Sequence, residues 1–198
     1  VGNMALGGFT NGVTTEEMAA AYGAFVNDGI YSAPRTYIRV EDSQGKVIID
    51  NEIKFNTAMK ESTAYLMRSI LQDVVSRGTG TGARFSGMSI GGKTGTADKT
   101  GTKTNDNPKG DVVVSFLCFA PADDPQIMML ITMDTPSRST GTYVSGGNMV
   151  APYSSAIMAE ILPYLGIEPS YSAEELMGVD TTAVSYTHLR AHETSAHL

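Results

Sequence analysis

The chain has no tryptophan, one cysteine and three histidines in 198 residues, and each scarcity removes a class of chemistry. A single cysteine, Cys118, excludes an internal disulfide, and its neighbours Phe116, Leu117 and Phe119 make it a buried thiol in a strand. The histidines stand at 188, 192 and 197, so residues 1 to 183 can build neither a catalytic triad nor a histidine-bound metal site. No metal and no cofactor is expected. Lys and Arg number 14 against 21 Asp and Glu, for a formal charge of −7. Nucleic-acid binding needs clustered cations that this balance lacks. No apolar run approaches the roughly 20 residues of a membrane span. What is present, 41% hydrophobic and 18% charged residues, is an ordinary globular composition for one domain or part of one.

Both ends carry their own signals. The chain opens on Val1-Gly2-Asn3 rather than methionine and is expected to begin in mid-protein. Near the other end, His188 and His192 are four apart, a spacing that would suit a metal pair on a helix. The surrounding text, Val184-Ser185-Tyr186-Thr187-His188-Leu189-Arg190-Ala191-His192-Glu193-Thr194, instead reads as the in-frame translation of the adapter used in transposon-based sequencing libraries. Residues 184–198 are therefore set aside from the fold.

Between these ends the elements follow in order. Thr14 as N-cap with Glu17 three residues later forms a capping box, and Met18, Tyr22, Phe25 and Val26 recur at helical spacing up to Gly29. That predicts a helix of about 14 residues. Thr36 to Val40 and Lys46 to Ile49 read as a hairpin turning at Asp42-Ser43-Gln44-Gly45. A second helix spans Lys60 to Ser76 with Leu66, Met67, Ile70, Leu71, Val74 and Val75 on one face. The run Arg77-Gly78-Thr79-Gly80-Thr81-Gly82 follows a helix, the wrong order for a phosphate loop, and reads as a mobile connection. Strands at 88–97, 112–119 and 127–133 form an antiparallel meander, with the turn-rich Ala120 to Pro125 between the last two. A third helix has Pro152 in its first turn, an apolar face of Ile157, Met158, Ile161, Leu162 and Leu165, and a distorting Pro163. Residues 168 to 183 read as an exit linker.

The chain is organised around Met88-Ser89-Ile90-Gly91-Gly92-Lys93-Thr94-Gly95-Thr96-Ala97. Strand alternation sends Lys93 and Gly95 one way and Thr94 and Thr96 the other. Glycines at 91, 92 and 95 let another backbone lie close, leaving amides, a cation and hydroxyls suited to an extended, carboxylate-bearing peptide. Lys-Thr-Gly occurs in serine β-lactamases and penicillin-binding proteins. A second copy, Lys99-Thr100-Gly101-Thr102, lies among polar turn-formers and reads as a solvated loop. Ser43-Gln44-Gly45-Lys46 matches the Ser-x-x-Lys of serine acyltransferases, but sits in a hairpin turn rather than a helix.

Several segments together resemble the transpeptidase domain of bacterial penicillin-binding proteins. They are Gly12 to Tyr22 with Val26-Asn27-Asp28-Gly29, then Arg77-Gly78-Thr79-Gly80 before Gly92-Lys93-Thr94-Gly95-Thr96-Ala97. Ser115 to Pro125, with Val150-Ala151-Pro152 to Tyr164-Leu165-Gly166, looks most like class B, the monofunctional transpeptidases of division, elongation or spore cortex synthesis. The resemblance implies an α+β fold, an antiparallel sheet flanked by helices with a partial helical subdomain of the β-lactamase/transpeptidase kind, incomplete at the N-terminus. Residues 1–167 would be the C-terminal part of that domain, 168–183 the exit linker and 184–198 the adapter-derived tail.

It also implies a site. Lys93 would orient and neutralise the substrate carboxylate, Thr94 and Thr96 would hydrogen-bond it, Gly95 would leave room for it, and the Thr96 amide would form half of an oxyanion hole. The nucleophile has no representative: apart from Ser43 there is no Ser-x-x-Lys, and Ser-x-Asn does not occur. The implied partners are peptidoglycan stem peptides and β-lactams, with a cell-wall synthesis complex, at the extracytoplasmic face of the bacterial cell membrane through an anchor outside this chain. The chain alone is expected to be inactive. A D,D-carboxypeptidase, a serine β-lactamase or a catalytically silent peptide-binding module are the alternatives.

The tail reading is directly testable. Deleting residues 184–198 should leave the melting temperature unchanged within error, and zinc-dependent stabilisation abolished by His188→Ala would contradict it.

Overall fold

The computed structural model describes residues 12–171. The readings made for residues 1–11, for most of the exit segment and for the 184–198 tail lie outside the described residues.

The first helix, α1 (Thr15–Val26), starts where the sequence says it should. Thr14 Oγ1 accepts the Glu17 N–H at 3.1 Å and the Glu17 carboxylate accepts the Thr14 N–H at 2.8 Å, which closes the capping box. Those bonds to Thr14 hold the Glu17 carboxyl below the usual carboxylate range. The helix is 12 residues long, shorter than expected, because it closes in a Schellman turn before Gly29. Asp28 takes the left-handed conformation (φ 49°) and the Gly29 N–H bonds the Ala24 carbonyl at 2.8 Å.

The chain then forms β1 (Ile30–Ser32), β2 (Arg39–Glu41), β3 (Val47–Asp50) and β4 (Phe55–Thr57). The expected hairpin is β2–β3, although β2 is shorter than Thr36 to Val40, and the Asp42 carboxylate fixes its turn by accepting the Gln44 and Lys46 amides at 2.9 Å. The β1–β4 pairing brackets this hairpin. Helix α2 (Glu61–Ser76) follows, then a 3₁₀ turn at Thr81–Ala83, and then β5 (Gly91–Asp98), β6 (Val112–Ala120) and β7 (Ile127–Asp134). These last three strands are the expected antiparallel meander, in the order β5-β6-β7.

Strand β6 is central and buried on both faces, which explains its nearly continuous apolar text. Its even-numbered residues Val112, Val114, Phe116, Cys118 and Ala120 pack with Val75 of α2 and with Val150, Ala151, Met158 and Leu162. Its Leu117 and Phe119 face the other way, onto Leu71 of α2 and onto Tyr22, Phe25 and Val26 of α1. Helix α1 therefore covers one side and α3 (Ala151–Tyr164) the other, while α2 contributes to both, through Leu71 to the first and Val75 to the second.

Helix α2 departs from its predicted face. Ala64, Leu71 and Val75 are buried, while Leu66 and Ile70 are 58% and 56% exposed. Likewise α3 buries Ala151, Ser154, Met158 and Leu162 but leaves Leu165 half exposed. Pro163 lies in its last turn, where Gly166 (φ 71°) and an Ile167 N–H to Leu162 carbonyl bond of 2.9 Å complete a second Schellman end. Beyond it, residues 168–171 turn back rather than leaving the domain: the Tyr171 N–H bonds the Gly87 carbonyl at 3.1 Å and Ser170 Oγ lies 3.0 Å from Ser89 Oγ. Among the described residues no helix is long and apolar enough to cross a membrane.

A π-helical turn at Gly146–Val150, which nothing in the sequence pattern announced, leads into α3. It lies so close to the sheet that a methyl group on Gly146 would overlap the Ser115 carbonyl oxygen and come within 2.8 Å of the Gly95 carbonyl oxygen.

Two measurements check this packing. Gly146→Ala should lower stability by about 1–3 kcal/mol in urea unfolding, since only backbone can yield. Gly23→Ala, where the new methyl would meet only the Met128 methyl at 3.5 Å, should be neutral or stabilising by up to about 1 kcal/mol. Burial pushes the Cys118 thiol up to about 12, against a smaller opposing contribution from Ser154, so thiolate is scarce at pH 8. Iodoacetamide should therefore label Cys118 at least about a hundredfold more slowly in the native protein than in urea, and equal rates would contradict this packing.

Candidate active site

β5 is an edge strand, hydrogen-bonded to β6 on one side and without a strand neighbour on the other among the described residues. Its register sets Lys93 opposite Leu117 and Gly95 opposite Ser115, while Thr94 and Thr96 lie opposite Phe116 and Val114 on the other face. The alternation expected from the sequence is thus present. At Gly92 a methyl group would come within 2.6 Å of the Leu117 carbonyl oxygen, so glycine there is a condition of the strand's seating.

The Lys93 side chain is exposed, and its ammonium donates to the Thr94 carbonyl. It makes no ion pair among the described residues. Thr96 is exposed, and its hydroxyl has no hydrogen-bond partner among the described residues. Thr94 is half-buried and its hydroxyl lies 2.9 Å from that of Thr79. Lys93, Thr94, Gly95 and Thr96 therefore present one free cation, one free hydroxyl and one paired hydroxyl along an open backbone edge. An arrangement of this kind attracts an anion and can receive an extended chain.

Thr79 is the residue that pattern reading missed. It belongs to the glycine-rich run expected to be a mobile connection, yet that run is packed against β5. Gly80 is buried with Phe116 beside it, and a methyl on Gly147 would overlap the Thr79 carbonyl oxygen and touch the Thr94 methyl. The only available signal was the glycine spacing itself, which marks close approach as readily as it marks freedom.

The two competing motifs lie outside the strand itself, the second Lys-Thr-Gly copy directly after its end at Asp98 and Ser43 in the β2–β3 turn. Lys99 of the second Lys-Thr-Gly copy pairs with Asp134 at 2.8 Å and with Thr135 Oγ1 at 3.2 Å. Hydrogen bonds from Lys99, and next from Thr135, hold the Asp134 carboxyl below the usual carboxylate range. Thr102 caps the turn by donating to the Lys99 carbonyl at 2.8 Å. It is a surface loop, as expected, but a tied one with its cation already neutralised. Ser43 lies in the exposed β2–β3 turn, with Gln44 and Lys46 bound through their amides to Asp42, so no helical Ser-x-x-Lys forms there. No cluster of metal-ligating side chains exists among the described residues.

Known proteins share this sequence and fold. The family model described as the penicillin binding protein transpeptidase domain matches residues 1–159. The stage V sporulation protein D of Bacillus subtilis is 37% identical over 161 residues, covering 79% of this chain and 24% of that protein. A probable peptidoglycan D,D-transpeptidase, PenA, of Neisseria gonorrhoeae is 34% identical over 156 residues, covering 78% of this chain and 24% of the relative. The chain thus spans about a quarter of the length of these relatives. A crystal structure of penicillin binding protein 3 from Mycobacterium tuberculosis, complexed with ampicillin, superposes with a TM-score of 0.65 at 26% identity over 79% of this chain and 36% of that one. The α+β architecture of helices about an antiparallel sheet is shared with that solved structure, and the chain belongs to the transpeptidase-domain family of penicillin-binding proteins.

Proposed function

We propose that this chain supplies the Lys-Thr-Gly wall of a peptidoglycan D,D-transpeptidase, with Lys93 as the carboxylate-orienting cation and Thr94 and Thr96 as hydrogen-bonding groups. The observation that carries the reading is the Lys93 ammonium, without an ion pair among the described residues, on an open edge strand that also carries the free Thr96 hydroxyl. In an antiparallel edge strand, residues two apart direct their backbone groups to the same side. The Lys93 ammonium reaches the Thr94 carbonyl, which supports an outward direction for the Thr96 N–H as well. An N–H there is suited to the oxygen on which charge develops during acylation.

In this reading a serine outside the chain attacks the carbonyl between the two D-alanines of a stem peptide. The terminal D-alanine leaves, and the serine ester passes its acyl group to the amine of a neighbouring stem. β-Lactams enter the same site because they too present a carboxylate beside a reactive carbonyl. The chain alone carries out neither step, since the one Ser-x-x-Lys in its sequence, Ser43 to Lys46, lies in a hairpin turn. The protein would work at the extracytoplasmic face of the membrane, within a cell-wall synthesis assembly, in a class B role of division, elongation or sporulation. The similarity to a stage V sporulation protein favours the last of these as the first to test.

The decisive comparison is between the two lysines. In a protein where this chain is joined to a domain supplying the nucleophile, Lys93→Ala should reduce acylation by a fluorescent penicillin at least about tenfold, the scale of a lost charge-assisted hydrogen bond. Lys99→Ala should leave acylation within about twofold of the parent, because its charge is already paired with Asp134 and it removes only an exposed ion pair beyond the end of the strand. Equal losses would refute the assignment of Lys93.

A further inference from the structure

The hydroxyls of Thr79 and Thr94 are 2.9 Å apart, and neither has another hydrogen-bond partner among the described residues. A hydroxyl has one proton to give and two lone pairs to receive with, so two possibilities exist. If Thr94 donated to Thr79, its only proton would be consumed and it would turn lone pairs toward the strand edge. An anion arriving there would be repelled. If Thr79 donates to Thr94, the Thr94 proton stays free and is made more acidic by the bond it receives.

We propose that Thr79 is a positioning residue: its hydroxyl donates to Thr94 Oγ1, so that Thr94 is held with its own O–H directed to the carboxylate of the bound peptide or β-lactam. The inference rests on the reading of β5 as the carboxylate-binding strand. Its support is the built setting of Thr79 rather than the hydroxyl pair alone. Gly147 allows the π-turn backbone to lie against the Thr79 carbonyl, and Gly80 sets its backbone against the Phe116 ring and the Val74 carbonyl. The Thr79 carbonyl and the residue that follows it are thereby packed against the π-turn and the sheet. The Thr94 methyl faces Gly147, which holds that side chain in one orientation and leaves its hydroxyl toward Thr79. No acid or base takes part, so the effect should be independent of pH across the neutral range.

The test uses the full-length protein and compares second-order acylation constants for benzylpenicillin and for its methyl ester, which lacks the anionic carboxylate. Thr79→Val, matched in shape but without the hydroxyl, should slow acylation by the acid about five- to thirtyfold and leave the ester within about twofold. Thr79→Ser should restore the acid rate. In a Thr94→Val background, Thr79→Val should have no further effect on the acid, since the two hydroxyls act as one unit. An equal fall for acid and ester would show a purely structural role and overturn the proposal, as would an acid rate unchanged by Thr79→Val. Should Thr79→Val fail to fold, the Thr79→Ser and Thr94→Val proteins still decide: a Thr94→Val enzyme as selective for the acid as the parent refutes the relay. Lys93→Ala separates the two levels. If it too leaves the acid rate unchanged, the carboxylate-binding reading of β5 falls and this inference with it; if it impairs the acid while Thr79→Val does not, only the inference falls.

Discussion

The structure depends on one backbone-to-backbone approach, that of the Gly146-Gly147 turn against β5, β6 and the Thr79 loop. Gly146 lies over the carbonyls of Ser115 and Gly95, and Gly147 over the carbonyl of Thr79, at distances that admit no side chain. From that contact Val150 and Ala151 drop fully into the core, and α3 begins where its Met158 and Leu162 meet the even-numbered face of β6. Because interiors are packed at near-crystalline density, the turn cannot shift without moving either the helix or the strand edge. The site strand and the helix behind it are therefore one mechanical unit. Ser145 reinforces the seat by accepting the Asn148 N–H at 3.2 Å.

The features legible in the sequence are those whose cause is local. The Thr14–Glu17 capping box, the Asp42–Gly45 turn and the apolar runs of β6 and β7 each carry their explanation within a few residues. What stayed hidden depends on distant partners. The β1–β4 pairing joins two three-residue strands across an intervening hairpin, too short for periodicity to register. Helix α2 has apolar residues around much of its circumference, and the pattern cannot say that Leu71 and Val75 find β6 while Leu66 and Ile70 do not. The Gly78–Gly82 run was open to two meanings, flexibility or close approach, and only the neighbours Phe116, Val74 and Gly147 decide for the second.

The strand that carries the candidate residues was legible in the sequence, for a chemical reason. A cation, two hydroxyls and three glycines on a strand restrict the possible chemistry more than any arrangement of leucines does. Even so, the motif text is degenerate, since Lys-Thr-Gly-Thr occurs twice. Electrostatics separates the copies. Lys99 sits 2.8 Å from the Asp134 carboxylate, and its positive charge is largely cancelled for any ligand beyond that pair. Lys93 has no such carboxylate among the described residues, so its field extends from the strand edge into solvent.

An open strand edge carrying an uncompensated charge meets two requirements that usually conflict. Exposed edges invite pairing with other chains, and proteins suppress this with lysines and short edge strands. On the proposed reading β5 would put the same device to a different end: Lys93 and the polar Thr96 discourage indiscriminate apolar association, while Gly95 leaves room for the Ser115 side chain of β6, which a methyl group there would overlap. A partner that is extended and ends in a carboxylate gains both the ladder hydrogen bonds and the attraction of Lys93, whereas an uncharged strand gains only the first. On the proposed reading, selectivity for a short anionic peptide over other strands would follow from the edge itself, before any side-chain pocket is considered.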